Sequence, residues 1–183
     1  GSALASENIW RELSLAKTEK PLVVSFGDVA ASGGYYIGAV ADSIFASPNT
    51  ITGSIGVFGL IPNMQGFFNE KLGVTFDGVK TATYADGGTV YRPLSEGEKN
   101  FAQETVDRIY LQFKQRVAQG RKKDIAYIDS IAQGRVWSGE DALRLGLVDK
   151  IGGLQNAVDC AARMAKLKGL PPARISASKQ LAR

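Results

Sequence analysis

The chain of 183 residues contains no histidine and only one cysteine, Cys160. Without imidazole it cannot form a Ser-His-Asp triad, a Cys-His pair or a histidine metal site. One cysteine cannot form an internal disulfide, a Cys-x-x-Cys redox pair or a cysteine zinc cluster, so packing must hold the fold together. Any catalysis therefore uses Ser, Lys, Asp, Glu or Tyr, and we expect neither a metal nor another cofactor.

Long apolar segments are also missing. No stretch reaches the roughly 18 apolar residues that span a bilayer, and the N-terminus lacks the charged-then-apolar pattern of a signal peptide. If the protein belongs in or across a membrane, we therefore expect its anchor to lie outside this chain.

The net charge is small, because 22 basic and 18 acidic side chains leave +4. The densest basic run, Arg121–Lys123, precedes Asp124 and is typical of a solvated helix end, so no nucleic-acid partner is expected. The composition, 44% hydrophobic and 22% charged, is that of an ordinary globular protein. The length favours a single domain, which we place at residues 1–170, with a C-terminal tail at 171–183.

Alternating strand-like and helix-like segments indicate an α/β fold with largely parallel strands. Ser95 and Glu98 form a capping box that opens a long helix ending near Gly120. Residues 81–93 are polar and lack periodicity, which predicts a long surface loop. The remaining hydrophobic pattern predicts helices at 3–17, 30–41, 63–72, 124–132 and 154–168, and strands at 22–27, 43–47, 54–59 and 74–79.

The most informative residue is Ser32, which lies at a predicted strand-to-helix junction among Ala and Gly residues. A serine there exposes its oxygen on a tight turn, near backbone N–H groups at a helix start that can stabilise an oxyanion. Small neighbours let a substrate backbone approach closely. The pattern also fits a helix N-cap, because Ser is favoured there for its own hydrogen bond. The residues alone leave both interpretations open.

A serine nucleophile needs a base. Without histidine, the known substitute is a lysine whose pKa is lowered toward neutrality by burial. Most lysines here lie on amphipathic helix faces or near the chain ends, where a solvated charge is the ordinary interpretation. Lys80 differs, because it ends an apolar, strand-like segment. It is therefore the candidate base that this chain itself offers.

Four short motifs carry a family resemblance. They read Ala-Ala-Ser-Gly-Gly-Tyr-Tyr-Ile at 30–37, Thr-Gly-Ser-Ile-Gly-Val at 52–57, Gln-Gly-Arg-Val-Trp-Ser-Gly at 133–139 and Gly-Leu-Val-Asp at 146–149. Over about residues 1 to 168 the chain closely resembles the signal peptide peptidase A (protease IV) family, peptidase family S49. The resemblance implies a ClpP/crotonase-like superhelix of repeated β-β-α units. It also implies a membrane-associated serine peptidase with a Ser-Lys dyad that degrades cleaved signal peptides.

The resemblance assigns roles to single residues. The family's nucleophile falls on Ser32, its oxyanion donor on Gly33 and its lysine-orienting serine on Ser54. Residues 1–3 match the end of the family's Pro-Gly-Gly-Ser turn, which implies that Gly1 is native and holds the place of the second oxyanion donor.

The family's lysine does not match. In the short, single-domain form of the family, the lysine lies a few residues after the segment that matches Val79 and Lys80. In this chain that position holds Ala85. The chain thus resembles the C-terminal half of the long, two-domain form, whose N-terminal half brings the lysine. This implies a nearly inactive isolated chain with that half as partner. It also implies a peptide substrate, a homo-oligomer, and a place at the bacterial inner membrane facing the periplasm.

Two alternatives stay open beside the peptidase interpretation. One is an acyl-CoA hydratase or isomerase on the related crotonase fold, which needs no serine nucleophile. The other is an inactive assembly module whose site works only in the complete chain or in an oligomer. Ser138 and Asp141 are better explained as a helix cap than as an acidic catalytic pair. Trp137 is assigned to the core and Cys160 to a buried position.

Overall fold

The computed structural model describes residues 1–167, so the predicted tail at 171–183 lies outside the described residues. The described chain forms two compact units. The first unit contains residues 1–56 and 113–167, and the second unit contains residues 57–112.

The first unit holds all of the strands within the described residues. In chain order its elements are α1 (Ala3–Glu19), β1 (Val23–Ser25), β2 (Val29–Ala31), α2 (Gly33–Gly38), β3 (Ser43–Ala46), β4 (Ile51–Gly53), α4 (Ile125–Ile131), β5 (Val136–Ser138), α5 (Gly139–Arg144), β6 (Lys150–Ile151) and α6 (Leu154–Met164). The helix α3 (Glu96–Arg121) begins in the second unit and ends in the first.

Two three-stranded sheets organise the first unit within the described residues. One has the order β1-β3-β6 and is parallel throughout. The other has the order β2-β4-β5, with β2 and β4 parallel and β4 and β5 antiparallel. The predicted α/β class with largely parallel strands is therefore confirmed.

The core of the first unit packs α2 against the first sheet. Tyr35 and Ile44 are fully buried, and the Tyr35 hydroxyl donates a 2.8 Å hydrogen bond to the Leu147 carbonyl. Burial raises the pKa of Tyr35 well above its usual value, so the phenol stays a neutral donor. Asp149 accepts a bond from the Ile44 amide and pairs with Arg121 at 2.5 Å. The Tyr35 bond thus ties α2 to the segment that leads into β6, and Asp149 ties the same segment to β3.

Three predicted elements are wrong in their placement. The predicted helix at 30–41 is instead strand β2 followed by the short helix α2, and the predicted strand at 54–59 is replaced by β4 at Ile51–Gly53. The parallel pairing of Ala31 with Gly53 is the physical reason. This long-range contact outweighs the local preference of small residues such as alanine for a helix. Residues 74–79 form no strand.

The second unit consists of a π-helical segment, Phe67–Leu72, a loop and the first turns of α3. Residues 81–93 contain neither helix nor strand, as predicted. The Ser95 amide donates to Glu98 Oε2 at 2.8 Å, and the Glu98 amide donates to Ser95 Oγ at 3.3 Å, which confirms the predicted capping box. Phe76 stacks on Tyr91 with ring centroids 4.7 Å apart and anchors the loop by aromatic contact.

Candidate functional site

Ser32 connects β2 to α2 with φ 52° and ψ −120°, a backbone conformation that residues with a side chain rarely adopt. For a residue other than glycine, such a conformation is strained by about 1–3 kcal/mol and persists only where the surroundings impose it. Ser32 occupies the N-cap position of α2, yet its side chain makes no capping hydrogen bond. The cap interpretation therefore fails for this half-buried residue, whose hydroxyl makes no bond to the start of the helix.

The backbone of Ser32 is held from both sides. Its amide donates a 2.9 Å hydrogen bond to the Gly53 carbonyl, and its carbonyl accepts a 2.9 Å bond from the Tyr36 amide. The first bond continues the β2–β4 ladder by one residue, and the second begins α2. Sheet and helix together therefore impose the strained turn.

Gly1 and Gly33, the two predicted oxyanion donors, lie side by side. A Cβ built on Gly1 would be 3.7 Å from the Gly33 Cα and 4.0 Å from its amide nitrogen. A Cβ built on Gly33 would be 2.7 Å from the Oγ of Ser6, a buried residue of α1. A side chain at position 33 would therefore collide with the Ser6 hydroxyl of α1 unless that hydroxyl moved.

Ser54 follows directly after Gly53 at the end of β4 and also has a positive φ, 48°. Its amide donates a 2.8 Å hydrogen bond to the Arg135 carbonyl, and the Gly134 amide donates a 2.9 Å bond to the Ile55 carbonyl. The second sheet therefore brings Ser54 next to the strand end that carries Ser32.

The segment 133–137 supports this arrangement, a role that the sequence motif alone did not reveal. A Cβ on Gly56 would lie 2.7 Å from the Gly134 Cα, and a Cβ on Gly53 would lie 2.8 Å from the Trp137 ring. Half-buried Trp137 donates its indole N–H to the Ile131 carbonyl at 3.0 Å.

Ser138 caps α5 by accepting a hydrogen bond from the Asp141 amide, as predicted. Cys160 is buried, as predicted.

Lys80 and Ala85 lie in the second unit, and Lys80 belongs to an ion network there. Lys80 Nζ lies 2.9 Å from Asp86 Oδ2, and Arg92 Nε lies 2.8 Å from the same oxygen. Arg92 also pairs with Glu98 at 2.9 Å. The Arg92 guanidinium, followed by the Lys80 amine, holds the pKa of Asp86 well below its usual range. The Lys80 amine is thus engaged with a carboxylate, and its role as a base stays a prediction.

Within residues 1–167 no three acidic, histidine or cysteine side chains come close enough together to hold a metal ion. Within the same range no helix combines the length and apolarity needed to cross a bilayer.

Comparison with known sequences identifies one family. The model of "Peptidase family S49" matches residues 14–168. "Protease 4" of Salmonella typhi is 46% identical over 169 residues, which cover 92% of this chain and 27% of that protein. "Serine protease SPPA, chloroplastic" of Arabidopsis thaliana is 38% identical over 168 residues, covering 91% of this chain and 25% of that protein. The chain thus spans about a quarter of the length of these relatives.

Among solved structures, a mutant of the "1510-N membrane-bound stomatin-specific protease" superposes with a TM-score of 0.53 at 14% identity. The match covers 88% of this chain and 64% of that one. A second mutant of that protease, in complex with a substrate peptide, gives 0.51 at 17% identity, covering 88% and 60%. At such identities the likeness concerns the fold, which is the ClpP/crotonase-like α/β fold.

Proposed function

The chain belongs to peptidase family S49, and from this premise we propose that it is the serine-bearing part of a serine peptidase with a Ser-Lys dyad. The turn at Ser32 is the observation that carries the proposal. A strained serine between strand and helix, without a capping bond, is the arrangement that exposes a nucleophilic oxygen.

The proposed reaction is acyl transfer to Ser32. The Oγ attacks a peptide carbonyl carbon, and its proton passes to a neutral lysine amine. The Gly33 N–H and the nitrogen of Gly1, which is an amide N–H only within a longer polypeptide, stabilise the tetrahedral oxyanion. The C–N bond then breaks, the leaving amine takes the proton from the lysine, and water hydrolyses the acyl ester. Ser54 orients the lysine amine.

The lysine comes from outside this segment. Position 85, which matches the family's base, holds alanine, and the chain spans only about a quarter of its protease relatives. We therefore assign the amine to an N-terminal half of the parent polypeptide, and the isolated chain is expected to be nearly inactive.

The substrate class follows from the same family assignment. We propose signal peptide remnants, cleaved at small or apolar residues by a site on the periplasmic side of the bacterial inner membrane. A homo-oligomer is proposed as well, because Phe58 and Leu60 are 91% and 86% exposed. Two large apolar side chains so close in sequence are ones that a partner chain would cover.

A fluorophosphonate probe tests the nucleophile and the base together, since the serine oxygen displaces fluoride and forms a stable P–O bond. The purified chain should label slowly at Ser32. Added propylamine, a small primary amine, should accelerate labelling about tenfold, less than the ~10²–10⁴ that a positioned base contributes, because a free amine is not held in place. The S32A variant should not label, and K80A should behave like K99A, whose lysine forms an exposed ion pair with Glu96.

Two results would overturn parts of the proposal. Rapid peptide hydrolysis by the unaided chain, lost in K80A but not in K99A, would make Lys80 the base. Absence of labelling at Ser32, both with propylamine and in the full-length parent protein, would remove the nucleophile and leave an assembly module or an acyl-CoA enzyme.

A further inference from the structure

A polar cluster away from Ser32 joins α1, α2 and the part of α3 that lies in the first unit. Glu7 of α1 accepts a 2.5 Å hydrogen bond from the Tyr36 hydroxyl of α2. The same carboxylate accepts from Arg116 of α3, at 2.5 Å from Nη2 and 3.3 Å from Nε. The three residues are separated by 29 and 109 positions in sequence, so no local pattern reveals the cluster.

Neighbouring aromatic rings fix the geometry of this cluster. Trp10 follows Glu7 by one turn on α1, and the Arg116 guanidinium lies 3.9 Å from the centre of its ring. The Tyr36 ring packs on Phe113 with centroids 4.7 Å apart. Tyr36 is only 4% exposed, and the Glu7 and Arg116 side chains are 25% and 29% exposed. Bonds to a charged group in such a setting are the stronger kind.

The cluster is the polar link between the two helix starts that carry Gly1 and Gly33. Glu7 follows Ser6, whose Oγ fills the space beside Gly33, and Tyr36 lies one turn after Gly33. Gly1, Ser6 and Glu7 of one segment therefore meet Gly33 and Tyr36 of the other along a continuous contact. A shift of α1 against α2 would separate Gly1 from Gly33.

We propose that Glu7, held by Arg116, acts through Tyr36 as a positioning residue that keeps the backbone of Gly1 and Gly33 in register for oxyanion binding. The inference rests on the proposed peptidase function. None of the three side chains touches the reacting atoms, so their effect is on geometry, where an error of about 1 Å is enough to cost on the order of a hundredfold in rate.

Tyr36→Phe is the sharpest test, because it removes the link between α1 and α2 while the Glu7–Arg116 ion pair remains. The second-order rate of fluorophosphonate labelling at Ser32, measured with propylamine, should fall about tenfold to a hundredfold. Tyr127→Phe is the matched control: its hydroxyl donates to the Leu145 carbonyl at 3.0 Å at an exposed site, and its loss should leave the rate unchanged.

Glu7→Gln tests the carboxylate, with Glu12→Gln as the control on the same helix. Glu12 forms an exposed pair with Arg11, both side chains being 68% exposed. The double variant E7Q/Y36F should lose no more rate than the worse single variant, since both changes break one link. Equal losses in E7Q and E12Q, or additive losses in the double variant, would contradict the proposal.

A second readout does not depend on catalysis. The ¹H–¹⁵N resonance of the Gly33 amide should move in Y36F and E7Q and stay in place in Y127F and E12Q. If Ser32 never labels but the Gly33 resonance moves, the proposed function fails and the positioning contact stands. If Ser32 labels at the wild-type rate in Y36F, with Gly33 unmoved, the positioning role is wrong and the peptidase proposal is untouched. A variant that unfolds would lose the dispersed amide spectrum. In that case Arg116→Lys is used instead of the unfolded variant, because lysine keeps the positive charge but cannot make both guanidinium hydrogen bonds to Glu7. The same labelling rates decide the outcome.

Discussion

The amide of Ser32 donates to the carbonyl of Gly53, the residue directly before Ser54, at 2.9 Å. One hydrogen bond thus joins the strand end that carries the proposed nucleophile to the strand end that carries the proposed lysine-orienting serine. Both serines have positive φ, 52° and 48°. The parallel pairing of β2 and β4 therefore builds the site as a unit.

Ser32→Gly should stabilise the protein and abolish labelling. Glycine adopts φ 52° and ψ −120° without a Cβ penalty. Relief of a strain of about 1–3 kcal/mol exceeds the ~0.5–1 kcal/mol that glycine adds to unfolded-chain entropy. We expect a gain of about 1 kcal/mol in the free energy of unfolding, measured in urea. Ser32→Ala, which also removes the hydroxyl but keeps the Cβ, should show no such gain.

Gly33→Ala should be destabilising in the wild-type chain and tolerated once Ser6 is shortened. The new methyl group would lie 2.7 Å from Ser6 Oγ, but 3.8 Å from Gly1 Cα and 3.9 Å from Ser6 Cβ. Overpacking of this kind costs about 1–3 kcal/mol. In a thermodynamic cycle of G33A, S6A and the double variant, the double variant should regain most of the stability that G33A alone loses, which gives a favourable coupling energy between the two changes. Additive free energies of unfolding would show that Ser6 is not the obstacle.

Local and long-range features differed in how well the sequence predicted them. The Ser95 cap depends on neighbours three residues away, and it was predicted correctly. The β2–β4 pairing joins two three-residue strands about twenty positions apart, and it was missed because the two alanines of β2 also suit a helix and β4 ends at a glycine. The family motifs indicated Ser32, Gly33 and Ser54, but a motif carries no distances. The Glu7–Arg116 contact had no local signal at all.

Acid should weaken the network in the second unit. The Arg92 guanidinium, followed by the Ser95 backbone and hydroxyl, lowers the pKa of Glu98 from 4.5 to about 2. Between these values an unfolded chain binds a proton at Glu98 that the folded chain does not, so the contribution of Glu98 to stability falls as the pH drops from about 5 to 2 and is constant above. The advantage of wild type over Glu98→Gln in urea should shrink across this range. Glu104→Gln, exposed on the same helix, is the control, and a pH-independent difference for E98Q would contradict the prediction.

The close approach of Gly56 to Gly134 predicts which of the two glycines Gly56 and Gly59 tolerates a side chain. A Cβ on Gly56 would lie 2.7 Å from the Gly134 Cα and 2.9 Å from its nitrogen, and both are backbone atoms that cannot rotate away. Gly56→Ala should therefore lower the free energy of unfolding by about 1–3 kcal/mol. It should also slow Ser32 labelling, because the Gly134–Ile55 hydrogen bond next to Ser54 must lengthen. Gly59→Ala, with no atom within 4 Å of its Cβ, should change neither quantity. Equal behaviour of the two variants would mean that segment 133–137 does not hold Ser54 in place.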